Sequence, residues 1–558
     1  MLRAHAERGD CLGTMTTGVD RTSFDAVVIG AGHNGLVAAA YLARAGLSVL
    51  VLERRPIVGG AVVTEEIVPG FRFSRAAYVQ SLFRPEIVQE LRLAHYGFSV
   101  IARNPASFTP LPDGRSLMLG PDPAMNHQEI KKFSARDADR FPRYEAMLDR
   151  VARFIEPLLD MTPPDLAARG WRHRLETIRD LARLGWGGAR LGKDLPLFLE
   201  MVTAPASQIL HRWFESEPLK STLATDAIIG AMAGPSTPGS GYVLLHHVMG
   251  QTDGVRGVWG YVSGGMGSLS EAIAAAARAH GATILTARPV AGISVEGGRA
   301  TGVVLEDGTA IESRLVLSNA DPKATFLTLL PRESVPDDFR HRISTMDFSS
   351  GATKINVALD RLPSFAARPG HAAGPQHCGT IHLVSTMEEI EAAYLDALAG
   401  EPSTRPVIEM TLPSALDPTL APPGKHVMSL FVQYTPYALA RGSWDDPGVK
   451  DAFADRVFRV IEEFAPGFTA SVLARDVLSP FDLERIFSLT GGNIFHGAMR
   501  LDQLFWLRPA PGWSRYLTPI ENLYLCGAGA HPGGGVLGAP GRNAARAALS
   551  DLRRRKRK

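Results

Sequence analysis

Residues 24–53 read FDAVVIGAGHNGLVAAAYLARAGLSVLVLE. Ala26 to Ile29 is a short β-branched run, the pattern of a parallel strand buried on both faces. Gly30-Ala31-Gly32-His33-Asn34-Gly35 follows at once. Leu36 to Ala45 is rich in Ala and Leu and reads as a helix, which Gly46 ends. Ser48 to Leu52 is a second apolar strand with Glu53 at its end. This is one complete βαβ unit.

The glycine spacing serves a definite chemistry. Gly30 permits a tight turn, Gly32 lets a pyrophosphate approach the backbone, and Gly35 lets helix and strand pack closely. The helix N-terminus offers free N–H groups to the anion. Glu53, 18 residues beyond the last glycine, is placed to accept hydrogen bonds from a ribose diol. The unit therefore predicts dinucleotide binding, without separating NAD from FAD. Arg54-Arg55-x-x-x-Gly59-Gly60 comes next and suits a cofactor extended across the sheet top. Near the other end, Asn522 to Gly529 reads as a strand and turn. His531-Pro532-Gly533-Gly534-Gly535-Val536 and Gly538 follow and lead into a helix. A cofactor held by both chain ends implies a domain interrupted by insertions.

Between these ends, residues 120–235 read mostly as helices, and Leu269 to Ala279 as an Ala-rich helix. Thr283 to Leu285, Val290 to Val295, Thr301 to Leu305 and Ala310 to Leu317 read as strands, with hairpin turns at Gly297-Gly298 and Asp307-Gly308. Strand signal returns over 354–359, 407–412 and 427–434, and helix over 450–464.

These residues resemble the FAD-dependent phytoene desaturase and carotenoid oxidoreductase family, a branch of the amine-oxidase-like flavoproteins. The likeness rests on Asp25 to Ala39, Gly59-Gly60-Ala61, Pro69-Gly70-Phe71, Gly264 to Leu269, Ser318 to Pro322, Gly491 to Gly497 and the His531 to Gly541 loop. It spans about residues 24 to 550. It implies an α/β fold: a discontinuous doubly wound, Rossmann-like FAD-binding domain with an inserted substrate domain of mixed sheet and helices. Gly30, Gly32, Gly35, Glu53, Arg54, Gly59 and Gly60 would hold the ADP half of FAD, with the backbone of Val290 on the adenine. Gly527 and the loop of His531, Gly533, Gly534, Gly535 and Val536 would border the ribityl chain and the isoalloxazine. No catalytic residue and no metal site is assigned. The implied division is an N-terminal extension without fixed structure (1–23), FAD-binding segments over 24–120, 259–330 and 491–550, a helical substrate part over 121–258, a mixed substrate domain over 331–490, and a basic tail over 551–558.

Composition narrows the function. Apolar residues are 45% and charged residues 21% of the 558, an ordinary globular balance. The formal net charge is +2, which gives no global field for nucleic acid. The last six residues are all basic and read either as a solvated terminus or as a peripheral membrane contact. Cys11, Cys378 and Cys526 lie far apart, so neither a disulfide framework nor a redox dithiol is expected. The first 23 residues carry three basic and three acidic residues and no apolar core, unlike a secretory signal, and Met15 is an alternative start. The expected compartment is the cytoplasm, with the mitochondrial matrix as alternative. Trp186-Gly187-Gly188 lacks a preceding strand and is not read as a second nucleotide site. His33 is read as packing or capping, His246-His247 as core or surface, and Asp482 with Glu484 as a solvated helix start.

The expected function is FAD-dependent removal of hydride and proton from a small apolar organic substrate, with oxygen, a quinone or another carrier as electron acceptor. Two alternatives remain open: a regulatory FAD-binding protein acting through a protein partner, and a redox-neutral flavin isomerase.

Overall fold

The computed structural model describes residues 22–166, 171–252, 255–256 and 258–555. The N-terminal extension, with Cys11 and Met15, lies outside the described residues up to 21, and strand Ser23–Ile29 begins directly beyond it.

Two seven-stranded sheets organise the chain. In the first, strands Thr283–Leu285, Val49–Leu52, Ser23–Ile29, Ala310–Ser318 and Leu523–Leu525 run parallel in that order. Val28 pairs with Val51 on one side and Leu317 on the other. Arg299–Leu305 and Val290–Glu296 extend this sheet antiparallel. Val49–Leu52 is buried along its length, and so are the C-terminal ends of Ser23–Ile29 and Ala310–Ser318, as parallel strands covered by helices on both faces must be. The helices His33–Arg44, Gly267–Ala279 and Ala539–Arg555 bury Ala- and Leu-rich faces in the same core. The chain thus enters this sheet in three separate stretches, and the loops at the C-terminal strand ends meet at one edge, where ligands bind in open α/β sheets.

The second sheet has the order Val472–Leu478, Ala352–Leu359, His426–Gln433, Val407–Thr411, Thr380–Leu383, Ser107–Pro110, Ser116–Leu119. It is antiparallel except where Thr380–Leu383 meets Ser107–Pro110. Residues 107–119, expected in the first FAD-binding segment, supply two of its strands. A helical layer including Ala135–Leu159, Ala206–Trp213 and Ser240–Val248 packs around its own apolar core.

The basic tail is structured further than expected. The last helix runs to Arg555, which pairs with Glu521 at 2.8 Å; residues 556–558 lie outside the described residues. Asp482 is not a solvated helix start. It is buried, caps its helix through Ser479, and binds Lys450 at 3.1 Å and Arg485 at 2.6 Å.

Candidate active site

The helix His33–Arg44 starts at the strand ends of the first sheet with no side chain capping it. Its first N–H groups are left for an anion. Gly35 must be glycine here, because a Cβ would fall 2.2 Å from the Gly30 carbonyl oxygen. The Gly59–Gly60 turn lies against this loop. Gly59 N donates to Ala31 O at 2.8 Å, and a Cβ on Gly60 would meet Gly32 Cα at 3.3 Å. Glu53 is buried and locks both turns: Oε2 accepts from Ala31 N at 2.8 Å and Oε1 from Arg55 N at 2.9 Å. A carboxylate keeps further lone pairs for a ligand hydroxyl.

These elements wall an elongated cavity of about 380 Å³. Of the residues named from sequence, Gly30, Gly32, Glu53, Arg54, Gly59, Gly60, Val290, Gly535 and Val536 line it. Arg54 also donates to the carbonyls of Arg485 and Ile486, at 3.1 and 2.6 Å, tying the two chain segments together. Gly35 acts behind the wall, as its packing requires. Gly527, Gly533 and Gly534 are set back as well. Added Cβ atoms would strike Asn319 O at 2.6 Å, Met499 Sδ at 2.7 Å and Phe495 Cα at 2.4 Å. His531 lines neither this cavity nor its neighbour. Its Nε2 pairs with Leu158 O at 2.8 Å and its ring packs on Phe505.

The walls fit a dinucleotide flavin. The glycine cradle leaves room at the helix N-terminus. Four lining residues carry a buried polar atom with no partner: His33 Nε2, Asn34 Oδ1, Arg55 Nη1 and His496 Nδ1. Such atoms are costly unless a ligand satisfies them. His33 therefore lies on the cavity wall rather than acting only in packing. Burial and the neighbouring His496 hold it down to about 4, so it is neutral.

A second cavity of about 430 Å³ adjoins the first and shares Ala77, Tyr78, Ile229, Ile494, Phe495, Gly535 and Val536 with it. Phe141, Tyr144, Leu148 and Trp259 give it apolar walls. A polar cluster sits among them. Tyr78 Oη donates to Glu409 Oε2 at 3.0 Å, His382 Nδ1 lies 3.9 Å from Glu409 Oε1, and Thr225 Oγ1 is 3.2 Å from His382 Nδ1. Asp226 faces the same space. Desolvation pushes Glu409 and Asp226 both up to about 7. Arg103, buried among them, donates to Trp259 O and Thr380 Oγ1 at 2.8 Å each. On the cofactor side, Lys354 Nζ donates to Asn356 Oδ1 at 2.8 Å and to Ser429 Oγ, and lies 5.2 Å from the Tyr78 ring centroid. Desolvation brings it down to about 7.

Sequence reasoning missed Tyr78, Asp226, Lys354 and Glu409. The one available signal was Lys354, a lone charge in the apolar strand Ala352–Leu359. It missed the part played by Arg508 too. That guanidinium is fully buried and donates to Ala528 O at 2.9 and 3.0 Å, to Phe495 O at 2.6 Å and to Gln503 O at 3.1 Å. It joins the cavity wall at Phe495 to the wall at Ala528. Arg508→Leu should strand these carbonyls at about 1–3 kcal/mol each. A stability loss of about 3 kcal/mol or more is expected in denaturant titration.

Residues 28–89 match the NAD(P)-binding Rossmann-like domain, and residues 193–549 match flavin-containing amine oxidoreductase. The chain is 55% identical over 551 residues to pyridine nucleotide-disulfide oxidoreductase domain-containing protein 2 of Rattus norvegicus, covering 96% of this chain and 94% of that protein. It is 29% identical to a limonene dehydrogenase polypeptide of Castellaniella defragrans (95% of each chain). It is 27% identical to the lycopene-forming phytoene desaturase of Pantoea ananas (94% of this chain, 98% of that one). A solved putrescine oxidase variant shares the fold with a TM-score of 0.59 at 15% identity, over 96% of this chain and 100% of that one. The disulfide chemistry in the rat protein's name has no counterpart among the described residues: Cys378 and Cys526 are free, and neither lines the first or the second cavity. The dinucleotide cradle, the partnerless polar atoms of the residues around it and the match over most of the chain converge: the protein belongs to the flavin-containing amine oxidoreductase family and is an FAD-dependent oxidoreductase.

Proposed function

We propose that the chain dehydrogenates an apolar organic substrate held in the second cavity. The observation that carries this reading is the shared wall between the two cavities. At Tyr78, Ile229 and Val536 a substrate carbon reaches the cofactor without leaving protein. The relatives named for limonene and phytoene, both hydrocarbons, support an apolar class.

FAD, when bound, supplies the two-electron chemistry. The chain binds, excludes water and takes the proton. The helix N-terminus, Glu53 and the Gly59–Gly60 turn would hold the ADP half. Gly535, Val536 and Phe495 would close off the reacting end. The hydride, with its electron pair, would pass to FAD held in the first cavity. The proton would pass to Tyr78 Oη as that hydroxyl gives its own proton to Glu409, which releases it to solvent before the next turnover. An external acceptor, oxygen or a quinone, then removes the two electrons.

Because burial holds Glu409 near 7, it is protonated below that pH and able to accept a proton above it. Flavin reduction should therefore speed up as pH rises through about 7. Anaerobic mixing with a panel of terpene and long-chain alkene substrates tests the proposal. Bleaching of the flavin bands supports it, and a panel that leaves the bands unchanged counts against it.

No helix among the described residues is long and apolar enough to cross a membrane. The free thiols of Cys378 and Cys526 support a reducing compartment, the cytoplasm or, as the alternative, the mitochondrial matrix.

A further inference from the structure

We infer that helix Trp171–Leu191, together with helix Leu195–Thr203, docks the protein on the surface of an anionic lipid bilayer. The first of these helices is two-faced in an unusual sense. One stripe faces the protein: Thr177 donates to Asp165 O at 3.0 Å, Gly187 packs against Phe154, and Leu191 is buried. At 3.6 residues per turn, the opposite stripe is Trp171, Leu175, Ile178 and Trp186. These side chains are 68%, 55%, 60% and 66% exposed. Leu195 and Leu199 on the next helix are exposed as well, at 38% and 53%. Soluble monomers rarely expose a contiguous apolar surface of this kind unless something docks on it.

Charge selects the partner. Arg179, Arg183 and Arg190 fall on a single row flanking the apolar stripe, at spacings of four and seven residues. Arg179 and Arg183 are well exposed and share Asp180 between them, at 3.5 and 3.8 Å, so the row with Arg190 keeps a net positive charge; Arg190 lies 5.5 Å from the Trp186 ring. Trp and Leu on one side with cations beside them is the pattern of a helix lying in a bilayer interface: the apolar stripe sinks among the acyl chains and the guanidinium groups meet lipid phosphates. A second protein copy would bring the same cations face to face.

One ion pair ties the second helix of the patch to the wall of the second cavity. Asp149, on the cavity wall, is 36% exposed at its rim. The next residue, Arg150, binds Asp194 at 2.6 Å, immediately before Leu195.

The test is vesicle flotation of the full-length, FAD-loaded protein with phosphatidylcholine vesicles, alone or containing phosphatidylglycerol. The parent should float with the anionic vesicles. The triple variant Trp171→Ser, Ile178→Ser, Trp186→Ser should lose at least about tenfold in partitioning. Arg179→Glu with Arg183→Glu should lose about tenfold on anionic vesicles and little on neutral ones. Unchanged flavin content in each variant shows that the fold is intact. The inference is overturned if the parent stays in solution, if the triple variant floats as well as the parent, or if it turns a dimer into a monomer without changing flotation. It is overturned too if deleting residues 556–558 alone abolishes flotation, since the basic C-terminus would then be the contact.

Discussion

Glu409→Gln is expected to slow anaerobic flavin reduction by substrate at least about 100-fold, the usual size of a lost general base, with FAD content unchanged. Glutamine keeps the size and one hydrogen bond to Tyr78 but cannot take a proton. The rise in rate through about pH 7 should disappear with it. Two other groups titrate in the same range, so the variants must separate them. Lys354 is brought to about 7 by desolvation, but it packs on the Tyr78 ring and not on the Tyr78 hydroxyl. Lys354→Met should therefore leave the inflection in place. Asp226 shares the cavity, and the like charge of Glu409 adds to the desolvation that raises it. Asp226→Asn should move the inflection down, because Glu409 then ionises without a like charge nearby. Tyr78→Phe should match Glu409→Gln if the phenol carries the proton between substrate and carboxylate. Stopped-flow absorbance across pH 6 to 8.5 reads all four outcomes, a window of about one to two units around the expected midpoint.

The second large effect is loss of the cofactor. Gly35→Ala places a methyl 2.2 Å from the Gly30 carbonyl oxygen and 3.1 Å from Asn319 Cβ. The first contact is with backbone, so no rotamer relieves it. The helix start must move away from the strand end, and with it the N–H groups meant for the pyrophosphate. Overpacking in a well-packed core costs about 1–3 kcal/mol, and the displaced helix would add a large loss of affinity. The purified variant should be nearly colourless, and FAD titration should show at least about a hundredfold weaker binding, the equivalent of about 2.7 kcal/mol. A variant as yellow as the parent would mean that the helix start is not the anion site.

The contrast between these residues explains what the sequence could reveal. Gly30, Gly32, Gly35 and Glu53 act within thirty residues of one another, on a strand, a turn and a helix that each have a clear local pattern. Their geometry follows from backbone rules alone. Glu409 and Tyr78 meet across 331 positions, on strands and loops whose pairing only the folded chain fixes. A carboxylate in a strand ordinarily reads as the solvent face. Nothing local in the sequence marks Glu409 as enclosed. Ser107–Pro110 and Ser116–Leu119 were misplaced for the same reason, since short strands do not announce which sheet they will join. His531 misled in the other direction. It sits in a cofactor-loop pattern, yet its ring turns back to Leu158 and Phe505. Asp482 reads as a solvated acid until Lys450 and Arg485 close over it.

The most direct test of the account is whether substrate reaches the flavin through the shared wall. Ile229 borders both cavities, and Ile229→Trp would fill the junction while leaving the Gly30–Glu53 cradle untouched. The measurement is anaerobic titration of the parent and of this variant with one substrate that bleaches the parent flavin, followed by visible absorbance. The account predicts equal FAD content in the two proteins, full bleaching of the parent, and a variant whose flavin stays oxidised but is still reduced by dithionite. Equal bleaching of both would contradict it, and would put the reacting substrate somewhere other than the second cavity.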